Sequence, residues 1–235
     1  MYTLSRRQIP HTVIKSLVFG ASDGIVTTFA VVAGVAGAGL DSQIVLILGV
    51  ANMVADGLSM GLGDYLGARS EARFKKRQTE REANNNIDES AAKKHLHEYY
   101  KSKGLAGSEL NEIVEITSKN KQLLVETGYL AQTGESLNEV KNIYKTGLAT
   151  FIAFIIAGSF PLMPYAISAL GIEIADELKF QYSIIATAAT LFIAGSLRTF
   201  VTTGKWYRNG LEMLAIGSIA AIAAYLLGNL IERLI

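Results

Sequence analysis

Five long, predominantly apolar stretches, near 14–37, 43–66, 147–171, 182–203 and 210–231, dominate this chain of 235 residues. A helix rises 1.5 Å per residue, so roughly 20 such residues cross the hydrocarbon core of a bilayer. The predicted fold class is therefore all-α: a polytopic membrane protein with five transmembrane helices and a helical cytosolic insert between the second and third. The organisation that follows is 1–66 for the first two spans, 67–146 for the insert and 147–235 for the last three spans. Arg6 and Arg7 precede the first apolar run, which has no cleavage-like end and continues past signal-peptide length. It reads as a retained first helix.

Composition removes several function classes. A formal net charge of +1 lacks the basic excess that a nucleic-acid partner demands. With no cysteine there is no disulfide framework, thiolate zinc site or haem attachment motif. Any bound metal must take oxygen, imidazole or thioether ligands.

The placement of Lys and Arg sets a direction across the membrane. Arg6, Arg7 and Lys15 precede the first span, basic residues crowd the 67–146 segment, and Arg198, Lys205 and Arg208 flank the last loop. All of these fall on one face. The other face carries Lys179 and Arg233 beside Glu173, Asp176, Glu177 and Glu232. The N-terminus and the insert are expected in the cytosol, with the C-terminus on the opposite side of a vacuolar-type or plasma membrane.

Every span contains glycine, and Gly20/Gly24, Gly57/Gly61 and Gly63/Gly67 have the four-residue spacing that lets helix backbones approach closely. The first two spans are expected to pack tightly on each other, and the first to lie near its copy in a dimer. Span two is predicted to continue as a helix to Asn84-Asn85-Asn86; Asp88 then opens a helix that Gly104 closes, and Ser108 caps the next. Ser136 with Glu139 forms a capping box ahead of span three, while Pro161 and Pro164 are expected to break or kink that span.

Carboxylates within the spans are the most informative residues, because each costs about 2.5–3.5 kcal/mol on insertion scales. Asp23 and Asp56 both lie about 14 Å from the cytosolic ends of their spans, so antiparallel neighbours would bring them to one level. Asn52, Asp56 and Met60 are spaced by four and stack an amide, a carboxylate and a thioether on one face, with Asp64 nearer the cytosol. Oxygen ligands softened by a thioether suit Fe²⁺ or Mn²⁺ better than Mg²⁺. The competing readings are a helix-packing hydrogen bond for Asp23, interhelical glue for Asn52 and core filling for Met60. Glu212 reads as structural, with Arg208 one turn before it. In the insert, Glu109, Glu112 and Glu115 form either an acidic edge or a solvated face, and His95 and His97 point to different sides of their helix.

The segments FGASDGIVTTFAVVAGVAGA and LGVANMVADGLSMGLGDYLGARSE resemble the first two helices of the vacuolar iron transporter family, and NGLEMLAIGSIAAIAAYLLGNLI resembles its last. The SDG and SMGLGxYL segments are the specific part. The resemblance implies a homodimer that exchanges Fe²⁺ or Mn²⁺ for protons, moving metal out of the cytosol with the help of a glutamate-rich cytosolic domain. It places the translocation aspartate at Asp23 and the pathway methionine at Met60. The family's pathway glutamate falls on Asn52, so Asp56, one turn further on, takes over the carboxylate role in our reading. Glu82 and Glu126 match two glutamates of the family's metal-gathering domain, whereas Gln122, Leu123 and Leu124 stand where its Met-Glu pair is expected.

The expected function is transmembrane transport with metal ion, protons, lipid and a second copy as partners. No enzyme activity and no resident cofactor are expected, the metal being cargo. The alternative is a membrane-anchored helical module for interaction or metal sensing.

Overall fold

The computed structural model describes residues 11–84, 89–133, 143–200, 202 and 204–234. They form α1 (His11–Gly37), α2 (Ser42–Asn84), α3 (Glu89–Ser102), α4 (Gly107–Lys119), α5 (Lys121–Thr133), α6 (Tyr144–Ala169), α7 (Asp176–Leu197), a 3-10 turn (Arg198–Phe200) and α8 (Trp206–Glu232). Among the described residues, five segments are long and apolar enough to cross a membrane: Thr12–Gly37, Ser42–Arg77, Tyr144–Ala169, Asp176–Phe200 and Trp206–Glu232. The protein is an all-α multi-pass membrane protein.

Two compact units emerge from the contacts, Met1–Leu66 with Tyr144–Ile235, and Gly67–Ile143. In the first, α1 is the central helix, packing against α6, α7 and α8. Its Ile25, Thr28 and Val32 are fully buried. The main apolar cluster joins Phe29, Val32 and Val35 of α1 to Val45 and Met53 of α2 and to Phe154, Leu162 and Tyr165 of α6. The second unit closes around Leu96, Leu110, Val114 and Leu124, with Tyr100, Leu105 and Ile113 packed against them.

Several local expectations change. The helix of span four begins at Asp176, ahead of the predicted 182. Asp176 and Glu177 complement the positive end of the helix dipole, and the Lys179 ammonium pairs with the Asp176 carboxylate at 2.7 Å, so polar residues extend the apolar core of this helix outwards. Ser108 does not cap α4: Ala106 holds the N-cap position without a side-chain bond, which leaves Ser108 inside the first turn. Pro161 and Pro164 sit within an unbroken α6. Apolar surroundings offer no water to reward an opened backbone. Glu212 pairs with Arg198 of the 3-10 turn at 3.7 Å, making the link between the α7 end and α8 rather than along α8 to Arg208. Asp88, Ser136 and Glu139 lie outside the described residues.

The glycines are used differently from the expectation. A Cβ added at Gly20 would meet the Thr150 backbone, and one at Gly24 would lie 2.9 Å from Phe154 Cα, both on α6. Gly57 and Gly61 also face α6: a Cβ at Gly57 would lie 3.2 Å from Phe154 Cδ1, and one at Gly61 would lie 2.9 Å from the Gly147 carbonyl oxygen. Gly37 meets the Tyr225 backbone of α8. The close-approach surfaces at Gly20, Gly24 and Gly37 of α1 are thus met by α6 and α8 within one chain. Gly63 and Gly67 meet nothing within 4 Å.

Candidate functional site

Phe154 builds the site. This fully buried residue of α6 sets its backbone against Gly24 of α1 and its ring against Gly57 of α2. Each of those glycines directly follows an aspartate, Asp23 or Asp56. One residue of α6 therefore meets a missing side chain on each neighbour, through its backbone on α1 and through its ring on α2, and this shared contact brings the two helices to one level. Asp23 and Asp56 come close enough to interact electrostatically, and both are half-buried. Like charges held this close in apolar surroundings repel unless a cation or a proton intervenes.

Neither carboxylate has a hydrogen-bond partner among the described residues; the contact at Asp23 is to its backbone carbonyl, which accepts the Thr27 hydroxyl at 2.8 Å. Asp64 contrasts with them. Its Oδ2 accepts the Ser16 hydroxyl of α1 at 2.7 Å and the Thr150 hydroxyl of α6 at 2.6 Å. Placed on the same face as Asn52, Asp56 and Met60, Asp64 is committed to joining three helices. Asn52 is half-buried, and Met60 is partly buried against the main apolar cluster. Asp23 and Asp56 thus form a pair, flanked on α2 by an amide one turn to one side and a thioether one turn to the other.

Elsewhere the described residues bring no three Asp, Glu or His side chains together as a metal cluster. Glu82 and Glu126 fall on α2 and α5, with side chains outside the described ones. Glu109, Glu112 and Glu115 are exposed on α4, where Glu115 pairs with Lys119 at 3.0 Å. The hydrogen bond and charge of Lys119 hold the Glu115 carboxyl below its ordinary value. This is a solvated helix face. His95 is exposed and His97 half-buried, on either side of the fully buried Leu96.

The profile of the VIT family matches residues 14–229, nearly the whole chain. The chain belongs to the VIT family. It is 31% identical to the vacuolar iron transporter of Toxoplasma gondii over 94% of this chain and 75% of that protein. The corresponding values are 30%, 94% and 87% for vacuolar iron transporter 1 of Arabidopsis thaliana. For the vacuolar iron transporter of Plasmodium falciparum they are 32%, 94% and 82%.

The two segments most specific to the VIT-family resemblance, Ser22-Asp23-Gly24 and the stretch from Ser59 to Leu66, both sit at the junction of α1, α2 and α6. The first holds Asp23 and the glycine that receives Phe154; the second holds Met60, Gly61 and Asp64. Phe154, Ser16 and Thr150 were not singled out from sequence. The signal available was the Asp-Gly pair repeated in spans one and two, which marks two close approaches beside two carboxylates.

Replacing Asp64 with Ala in this VIT-family protein should destabilise it by about 1–3 kcal/mol, because two hydroxyls, one on the fully buried Thr150, lose their acceptor. Asp64→Asn keeps an oxygen in place and should retain most of the stability. Thermal unfolding of the detergent-solubilised variants measures the difference; equal losses would remove the hydrogen-bonding role.

Proposed function

We propose that this protein carries Fe²⁺ or Mn²⁺ out of the cytosol in exchange for protons. The observation that carries the reading is the Asp23–Asp56 pair, two neighbouring intramembrane carboxylates that no hydroxyl or amide among the described residues consumes. A divalent cation relieves their mutual repulsion, and so do protons. The two therefore compete for one site, which is the basis of exchange. Asn52 adds a neutral oxygen, and Met60 biases the site towards transition metals. The names of the Toxoplasma, Arabidopsis and Plasmodium relatives support iron as the cargo. Glu82 and Glu126 serve to gather metal on the cytosolic side before it enters the bundle.

The basic residues around the insert support a cytosolic N-terminus and insert, with the C-terminus across the membrane. Labelling each terminus with an impermeant reagent checks this: the two should react from opposite sides, and reaction from one side would refute it.

A homodimer fits a small-residue stripe on α2. Ala51, Ala55, Ser59 and Gly63, spaced by four, are all exposed, and Gly63 faces open space. The stripe runs beside the face that carries Asn52, Asp56 and Met60, so a second copy seated on it shields the half-buried site from lipid.

Purified protein in proteoliposomes should take up Fe²⁺ or Mn²⁺ in preference to Ca²⁺, at a rate that an imposed proton gradient changes. Absence of metal flux would leave the membrane-anchored sensing or interaction module as the reading. Flux indifferent to the gradient would remove the proton.

A further inference from the structure

At the end of the bundle where α1 passes to α2, the first turns of α7 reach every other membrane helix. Lys179, only 9% exposed, donates from Nζ to Ser42 Oγ at the start of α2 at 3.2 Å and to Asp176 Oδ1 at 2.7 Å. Phe180 stacks between Phe29 of α1, at 6.5 Å between ring centroids, and Tyr225 of α8, at 6.1 Å. Ser183, fully buried, donates its hydroxyl to the Pro161 carbonyl of α6 at 2.6 Å. Three side chains within two turns thus tie α7 to α2, α1, α8 and α6.

Around this point lies a cavity of about 610 Å³ whose wall includes Asp41, Ser42, Val45, Asp176, Glu177 and Phe180. Its chemistry is mixed, with carboxylates at the rim. Phe180 and Tyr225 also line an apolar crevice of about 400 Å³ between α7 and α8, so this aromatic contact separates a polar mouth from an apolar interior. Inward of the mouth, Val32, Val35 and Met53 join Val45 of the cavity wall in the main apolar cluster, which stands between the mouth and the level of Asp23 and Asp56. Phe180, in the first turns of α7, packs against that cluster.

We propose that the outer turns of α7 are the gate at the mouth where α1 passes to α2, with Lys179 as its latch. The inference rests on the transport reading for its purpose, though not for its test. The ammonium is well suited to the task. Its stem is buried, while its charged end binds two oxygens at the edge of a polar cavity, so it can exchange the Ser42 oxygen for water when α7 swings away. The serine hydroxyl is a neutral acceptor, which makes this contact one that a modest displacement can break and remake.

The chain has no cysteine, so a single Val45→Cys substitution reports on the gate directly. Val45 is 2% exposed, one turn inward of Ser42 on α2. With Lys179 present, a membrane-impermeant maleimide should modify this position slowly in the full-length protein. Adding Lys179→Met or Ser42→Ala should raise the rate about tenfold by shifting the population towards the open mouth, and Lys179→Arg should keep it slow. A Leu40→Cys control at the exposed rim should react equally in every background. Unchanged Val45→Cys rates in both the Lys179→Met and the Ser42→Ala backgrounds would overturn the latch, as would rapid modification with Lys179 intact. Labelling needs no metal movement. A wild-type protein without flux would cost the transport reading while the latch stood, and a transporting protein with unchanged labelling would cost only the latch.

Discussion

Asp56→Asn is expected to lower metal flux about 30-fold or more while leaving the protein folded, because removing one charge from a partly desolvated pair typically costs 2–5 kcal/mol of interaction with its partner cation. The amide keeps the shape of the side chain and loses its charge, and no hydrogen bond among the described residues depends on that carboxylate. Asp23→Asn should behave in the same way, since each aspartate supplies half of the charge that holds a divalent ion. Asn52→Glu should be tolerated, because it restores a titratable group one turn away on the same face of α2. Met60→Leu should depress Fe²⁺ and Mn²⁺ flux while folding yield changes little, a Leu being close in volume where Met60 packs on the apolar cluster. Flux is best measured per unit of monodisperse protein in proteoliposomes. If Asp56→Asn transports like the parent while Asp23→Asn is inactive, Asp56 is structural and exchange through an aspartate pair fails.

Gly24→Leu is the second large effect, and it acts on folding. Even the first added carbon would lie 2.9 Å from Phe154 Cα, and the obstacle is backbone, so no rotamer change relieves it. α1 and α6 would have to separate, which also withdraws Phe154 from Gly57. The expected loss exceeds about 3 kcal/mol and should appear as aggregated or unrecovered protein in size-exclusion chromatography. Gly63→Leu is the matched control, because its added carbon meets nothing within 4 Å. Its protomer should unfold within about 0.5 kcal/mol of the parent. The same variant should weaken a dimer assembled through the small stripe of α2. A Gly24→Leu protein as stable as Gly63→Leu would contradict the α1–α6 contact.

The membrane spans were legible because their signal is local. Hydropathy and length act on each segment separately, so the five apolar blocks, the helical continuation of α2 to Asn84 and the pause at Gly104 all follow from residues close in sequence. Helix starts were less legible. Ser108 has the right chemistry for a cap and the wrong position, and α7 starts on Asp176 because charge complements a helix end where apolar content alone gave no boundary. The two aspartates stood out by their cost in a membrane, and their equal depth suggested a pair. Their proximity depends on Phe154, distant in sequence from both, whose backbone meets Gly24 and whose ring meets Gly57 only once the three helices are packed.

By itself, then, the sequence determined the fold class, the spans and the two carboxylates that no ordinary lipid-facing helix would keep, since hydropathy and the cost of charge in apolar surroundings are properties of residues. The tertiary structure alone decided which helix each glycine meets, that Asp64 joins three helices while Asp23 and Asp56 bond to no described side chain, and that Lys179 links the start of α7 to the start of α2. Packing partners are chosen by the complementarity of two surfaces, and one helix read alone carries only half of each.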